Sequence, residues 1–161
     1  MKITLRKIDR SNWREAIEIK LLQSQETFVS SPVKSMAAAF VRQHGERYDY
    51  APMAIYDGDS MVGYVATLCD PNTASDYWID DIMIDARWQG MGYGRAAMGE
   101  TIRFILGAYP RCQAVQLTCH RANERAARLY VSTGFRPTGQ LNSLSGQPDY
   151  ALTGDALGAS R

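Results

Sequence analysis

The sequence predicts a single α/β domain, with a mixed central sheet of about seven strands and four helices in the order βααβββαβαββ. Three observations carry that prediction. Segments alternating apolar and polar residues give way repeatedly to segments with apolar residues three and four apart, so strand and helix periods take turns along the chain. A strand, a glycine-rich turn and a helix follow one another directly between Trp78 and Leu106, the crossover that joining parallel neighbours requires. No linker, internal repeat or low-complexity run interrupts the 161 residues, a length suited to one hydrophobic core.

Ile3, Leu5 and Lys7 alternate with Thr4 and Arg6 as a first strand. Asn12-Trp13-Arg14-Glu15 has capping-box spacing, with Ser11 as a competing cap. Trp13, Ala16, Ile17 and Leu21 then recur at helical spacing, which extends the first helix to about Gln23. The polar run from Gln23 to Ser31 reads as a loop. Ser31-Pro32 starts a second helix, with proline at its first position. Met36, Ala37, Phe40 and Val41 give it an apolar face and Gly45 its end. Pro52–Tyr56 and Met61–Leu68 form a hairpin about the turn Asp57-Gly58-Asp59-Ser60. After a loop from Asp70 to Asp76 comes the central strand through Asp80 and Ile84, and the glycine turn opens a third helix, Ala96–Leu106. Tyr109-Pro110-Arg111 stops that helix, and Ala114–Cys119 alternates as a fifth strand. Asn123 caps a fourth helix that Gly134 ends. Phe135–Leu141 and Asp149–Leu152 close the sheet, and the small, polar tail after Gly154 reads as frayed.

Composition narrows the function. A hydrophobic content of 45%, a charged content of 22% and a net charge of +1 describe an ordinary globular chain and point to neither a nucleic-acid nor a membrane surface. Cys69, Cys112 and Cys119 include no C-x-x-C pair, and His44 and His120 are the two histidines, so no metal site is expected. The N-terminus lacks the apolar core of a signal peptide and no run could span a bilayer, which makes a cytoplasmic location the expectation.

Chemistry concentrates in two motifs. Gln89-Gly90-Met91-Gly92-Tyr93-Gly94-Arg95 places glycine at alternate positions before a helix. Backbone N–H groups can then approach phosphate oxygens, and the helix dipole adds partial positive charge. The spacing fits neither G-x-G-x-x-G nor a G-K-[ST] P-loop. It fits Q/R-x-x-G-x-G/A, which resembles the acetyl-CoA pyrophosphate loop of the GNAT (Gcn5-related) N-acetyltransferases. A tight turn is the bland alternative. Asn123-Glu124-Arg125-Ala126-Ala127-Arg128-Leu129-Tyr130-Val131-Ser132-Thr133-Gly134-Phe135 resembles the second GNAT signature, N-x-x-A-x-x-L-Y-x-x-x-G-F. Capping and packing account for every residue type in it except Tyr130.

The resemblance, which spans Ile3 to Leu152, implies a GNAT fold whose fourth and fifth strands splay. It implies a pantetheine arm hydrogen-bonded to the backbone of Ile82, Met83 and Ile84, and a pyrophosphate held by backbone N–H groups of Gln89, Gly90, Met91, Gly92, Tyr93, Gly94 and Arg95. An N–H near Met83 would polarise the thioester carbonyl, Asn123 would hold the arm, and Tyr130 would protonate the leaving thiolate. The amine acceptor must lose a proton before attack. Asp80 and Asp81 are the acids available in the central strand; neighbours in a strand face opposite ways, so one of them faces the cleft, and Asp80 is preferred as base or anchor. Glu26 is the further acceptor-side acid. Gln23–Val29, Ala54-Ile55-Tyr56 and the run from Met83 to Gly94 resemble the bacterial spermine/spermidine branch, although Asp80-Asp81 departs from it. Asp76, Asp80, Asp81 and Glu26 could supply acidity for a polyamine or equally for an aminoglycoside.

The expected function is therefore acetyl transfer from acetyl-CoA, without a metal, to a small-molecule amine, best a polyamine. An aminoglycoside, amino acid or protein amine is the alternative acceptor, and a homodimer is the candidate assembly. A non-catalytic acyl-CoA-binding module and a cradle for another nucleotide are the competing classes; Tyr130 with a strand acid argues against the first, and the Asn123–Phe135 motif against the second.

Overall fold

Alternation along the strands sends their apolar residues to two faces, and both faces are covered by helices. A computed structural model of the chain describes residues 1–159. Strands β1 (Ile3–Lys7), β2 (Asp49–Asp57), β3 (Ser60–Cys69), β4 (Tyr77–Ile84), β5 (Ala114–Thr118), β6 (Arg136–Leu141) and β7 (Pro148–Thr153) form one seven-stranded sheet in the order β1-β2-β3-β4-β5-β7-β6. Every neighbouring pair is antiparallel except β4 and β5, which are parallel. Helices α1 (Trp13–Ile17) and α2 (Pro32–Phe40) lie on one face, over Ala54, Tyr56, Tyr64, Ala66 and Met83. Helices α3 (Tyr93–Ala108), α4 (Glu124–Ser132) and α5 (Gly154–Gly158) build the larger core around Ile55, Val65, Ile79, Ile102, Leu117 and Leu152. Among the described residues no helix is long and apolar enough to cross a membrane.

Several expectations change. The first helix ends at Ile17, not near Gln23, because the chain beyond it is recruited to the end of β4: Lys20 N–H donates to the Asp85 carboxylate, and its carbonyl accepts from Ala86 N–H. A single 3₁₀ turn at Gln23–Gln25 then follows. Asn12 occupies the N-cap position without capping, since its amide is spent on Asp9 N–H and the Lys7 carbonyl. Ser31 does cap α2, accepting from Lys34 N–H, but that helix stops at Phe40, well short of Gly45. Its forecast apolar stripe is mostly outside: Phe40 is 90% exposed, Val41 and Ala37 are also exposed, and Met36 alone is half-buried. The tail beyond β7 is not frayed as far as it is described. It forms α5, a fifth helix, because Leu157 is buried in the core.

Close approach of β3 to β4 depends on Gly63. A Cβ there would lie 2.3 Å from the Met83 carbonyl oxygen and 3.0 Å from Ile84 Cδ1. The first of these is backbone and cannot swing aside. Gly63→Ala is expected to cost about 1–3 kcal/mol, the range for forcing atoms into a packed interior. Thermal unfolding measures it, and an unchanged midpoint would show that β4 yields without strain.

Candidate active site

The parallel junction between β4 and β5 is registered at one pair, Trp78 and Gln116. A cleft of about 1010 Å³ is lined by β4 from Trp78 to Ile84 and by Leu117, Thr118, Cys119 and His120 of β5 and its exit. It is the splay expected of the fold. Gln89, Gly90, Gly92, Gly94 and Arg95 line the cleft, as do Asn123, Arg125 and Tyr130 of the second motif. The two motifs, about one strand apart in sequence, meet here.

The cradle is built mainly from backbone. Gly90 and Gly92 have φ of 82° and 89°, the left-handed region that favours glycine. Gly92 is the N-cap of the 16-residue α3, so the first N–H groups of that helix point out unpaired by it. Side chains of the loop are engaged elsewhere. Tyr93 donates its hydroxyl to Asp57 and packs edge-on against Trp88; Met91 is exposed. Neither side chain lines the cleft, so among the expected cofactor contacts these two residues offer only backbone. Arg95 turns its guanidinium to the carbonyl and hydroxyl of Ser132.

Gln89 has a role that the motif does not reveal. Its amide exchanges two hydrogen bonds with Gln25 (2.8 and 3.0 Å), donates to the Ile84 carbonyl (2.9 Å) and accepts from Arg125 (3.2 Å). One side chain thus ties the α1–α2 loop, the end of β4 and the start of α4 around the cleft. Asn123 divides its amide: Oδ1 caps α4 through Ala126 N–H, and Nδ2 has no protein acceptor among the described residues. An arm lying in the cleft can take that donor.

The register of β4 places the two acids. Ala66 pairs with Asp81, but Thr67 pairs with Ile79, leaving Asp80 as an extra residue in a β-bulge. Neighbouring β3 residues face opposite sides, so Ile79 follows Thr67 and Asp81 follows Ala66. Asp80, next to Ile79, therefore shares the Asp81 side, the α1–α2 face. Both carboxylates line the cleft, correcting the expectation that strand alternation admits one. Glu26 also lines it, exposed at the rim. Asp76 does not: its carboxylate accepts from Arg47, Tyr48 and Trp78 at 2.7–3.0 Å, so it is spent on structure.

Burial sets the acidity. Asp81 is 8% exposed, and burial pushes its carboxyl up to about 6, with the adjacent Asp80 raising it further against the hydrogen bond from Ser35. Asp80 is reached by solvent yet crowded by protein, so burial raises its pKa too, with His44 opposing. For stability the sign follows from linkage. With a folded pKa above the ordinary 3.8, Asp81 contributes nothing when protonated in both states, increasingly destabilises between pH 3.8 and about 6, and keeps the full cost above that. Asp81→Asn is accordingly expected to stabilise the fold at pH 7 by on the order of 2–3 kcal/mol. The gain should fade as pH drops toward 4; paired thermal melts would show it, and an equal gain at both pH values would refute the assignment.

Tyr130 is 9% exposed, its ring tilted against Phe135 and edge-on to Tyr150 at centroid distances of 6.3 and 6.4 Å. Its hydroxyl makes no hydrogen bond to protein among the described residues. Burial first, then Cys119 and Asp81, hold its pKa above the ordinary phenol value, so it stays protonated at neutral pH. Phe28 and His120 meet ring to ring at 4.9 Å and both line the cleft, joining the α1–α2 loop to the exit of β5. The sequence assigns no role to this pair, Gln25 or Ser35: Gln25 and Phe28 fall in the stretch that resembles the polyamine branch, but no local pattern singles out any of them.

Comparison with known proteins bears on the family and the fold. Residues 12–135 match the model of the acetyltransferase (GNAT) family. The chain is 26% identical over 147 residues to spermine/spermidine N(1)-acetyltransferase of Bacillus subtilis strain 168, covering 88% of this chain and 93% of that one. The fold is similar to that of spermidine N-acetyltransferase from Vibrio cholerae in complex with CoA and spermine, with a TM-score of 0.70 at 16% identity over 96% and 97% of the two chains. It is also similar to the aminoglycoside acetyltransferase AAC(6')-Ib bound to coenzyme A and kanamycin, with a TM-score of 0.76 at 17% identity over 98% of each chain.

Proposed function

Because the chain belongs to the GNAT acetyltransferase family, we propose that it transfers the acetyl group of acetyl-CoA to a primary amine of a polyamine such as spermine or spermidine. The observation that carries the acceptor class is the bulge that turns Asp80 and Asp81 to one face of the cleft, with Glu26 at the rim. Adjacent carboxylates suit a chain of ammonium groups, and the relative with spermine and spermidine in its name is similar along most of this sequence.

The cradle suits the co-substrate: glycine φ values, free N–H groups at α3 and an unpaired Asn123 Nδ2 are what a pyrophosphate and an amide-bearing arm require. Backbone groups of Ile82, Met83 and Ile84 on the β5 side would receive the arm as an added strand, and bound acetyl-CoA supplies the activated carbonyl. An ammonium group drawn to the acidic pair gives up a proton to a carboxylate. The freed lone pair attacks the thioester carbonyl while an N–H near Met83 stabilises the oxyanion. Collapse breaks the C–S bond, and Tyr130 donates to the departing sulfur. The nitrogen then passes its second proton through water to the phenolate left at Tyr130, and an amide and free CoA leave.

Thiol release from acetyl-CoA against spermine, spermidine, kanamycin, amino acids and peptides tests the reading. Spermine and spermidine are expected to give the highest kcat/KM. Kanamycin outperforming every polyamine would overturn the acceptor class, and no turnover with any amine would leave a binding module.

A further inference from the structure

Helix α2 has two sides, and among the described residues only one of them is covered. Pro32 and Ser35 are buried and Ala38 and Ala39 half-buried toward β2 and β3. The opposite side carries Val33, Ala37, Phe40 and Val41, whose spacing keeps them on one stripe of the helix. Phe40 is 90% exposed, Val41 69% and Val33 53%, and Ala37 between them is exposed as well. Single apolar side chains are ordinary on a surface, but four on one short helix make a patch, and such a patch marks a contact. Nor is this a fraying segment. Ser31 caps its start, with Pro32 at the first position. At its end Gln43 N–H donates to the Ala38 carbonyl at 3.0 Å, with Arg42 in the left-handed region at φ 51°. The stripe is therefore held in one form before anything meets it.

From this arrangement we infer that the stripe is covered by the same stripe of a second copy of this chain, the two α2 helices packing antiparallel about a twofold axis at Ala37. The symmetry of the pattern selects that occupant. Val33 and Val41 lie four residues to either side of Ala37, so a twofold axis there sets Val33 of one copy against Val41 of the other and alanine against alanine. Small side chains on the axis let the helices approach to about 8 Å, the close end of helix spacing. Charge agrees with the antiparallel sense. Lys34 is the one charged residue of α2, and this pairing lays it beside the C-terminal turn of the other copy, where helix carbonyls carry partial negative charge. A parallel pairing would gather both lysines at one end. Size agrees as well: the stripe exposes on the order of 400 Å² of apolar surface, suited to the centre of an interface of about 800 Å² per copy. The exposed ion pair of Arg42 and Glu46 supplies part of a polar rim. Lys34, Ser35 and Ala38 of the same helix line the cleft, so the contact would brace one wall of the site from behind.

Sedimentation velocity across a concentration series tests the inference on the parent, Phe40→Glu and Ala37→Glu. The parent should sediment as a dimer at micromolar concentration. Each glutamate should raise the dissociation constant by at least about thirtyfold, the effect of losing a central contact, with circular dichroism showing both variants folded. Ala37→Cys examines the axis itself. Because Cys69, Cys112 and Cys119 are buried, the new thiol is the accessible one, and under a mild thiol oxidant it should cross-link to its own copy. Asp59→Cys, at the exposed β2–β3 turn, is the control that should not. The cross-link also serves where a glutamate variant fails to fold, and none of these readouts depends on turnover. Three results would each overturn the inference: a parent that stays monomeric throughout the series, a dimer unweakened in both glutamate variants, or an Ala37→Cys protein that cross-links no better than Asp59→Cys.

Discussion

Tyr130→Phe is expected to lower kcat by roughly ten- to ten-thousand-fold, the span of proton-transfer contributions, while acetyl-CoA affinity changes little. The ring is held on two sides by Phe135 and Tyr150, contacts that phenylalanine keeps. What it loses is a hydroxyl with no protein hydrogen bond among the described residues, on a residue that lines the cleft, so no buried partner there is orphaned. A CoA thiolate resembles a cysteine thiol, with a pKa of about 8.5, and gains from a donor as charge develops on sulfur. Because burial holds the phenol above its ordinary value, transfer to an isolated thiolate would be uphill. As the proposed acid, the hydroxyl would act first as a hydrogen-bond donor to the developing charge, with the proton following as the C–S bond breaks. One corollary is that Tyr130 contributes no fall in kcat below about pH 10. Steady-state kcat and calorimetric Kd on the variant decide the role: an unchanged kcat removes Tyr130 from the chemistry, and a lost Kd with unchanged kcat makes it a binding residue.

The sequence made some of this site readable because its signals are local. Glycines at positions 90, 92 and 94 before a helical stripe need no tertiary information, and Asn123 with Gly134 brackets α4 by capping rules alone. The acid pair was half readable. Alternation correctly put Asp80 and Asp81 in β4, but a bulge inserts one residue without a distinctive residue type, and it turned a choice between two acids into a pair. The Gln89–Gln25 clamp, the Ser35–Tyr64 bond and the Phe28–His120 contact join positions 29 to 92 residues apart, beyond the reach of periodicity. Two helices misled for opposite reasons. α1 stopped early because Lys20 found backbone and carboxylate partners at Asp85 and Ala86, a tertiary override of a sound helical pattern. α2 shows helical spacing of apolar residues at Phe40 and Val41, yet they lie outside. Spacing reports that residues share a face, not that the face is covered.

Gly92→Val is expected to weaken acetyl-CoA binding by about 10–100-fold. Gly92 holds φ at +89° where the loop turns into α3, and a left-handed conformation costs an L-residue about 1–2 kcal/mol, with each 1.4 kcal/mol worth tenfold in affinity. Crowding within the protein is not the cause, because the nearest atom to an added Cβ would be Met1 Cε at 3.8 Å, an ordinary contact. The loss comes instead from strain relieved by moving the N–H groups out of line, and from valine methyls standing where phosphate oxygens must approach. Gly92→Ala carries the same strain with less bulk and should fall between valine and the parent, which separates the two contributions. Arg95→Ala should change affinity little, since its guanidinium is committed to Ser132 and the N–H that serves the cradle survives the substitution. Calorimetric titration of acetyl-CoA into the three folded variants measures the series. Parental affinity in Gly92→Val would place the pyrophosphate elsewhere, and a greater loss in Arg95→Ala than in Gly92→Val would make the cradle a side-chain site instead of a backbone one.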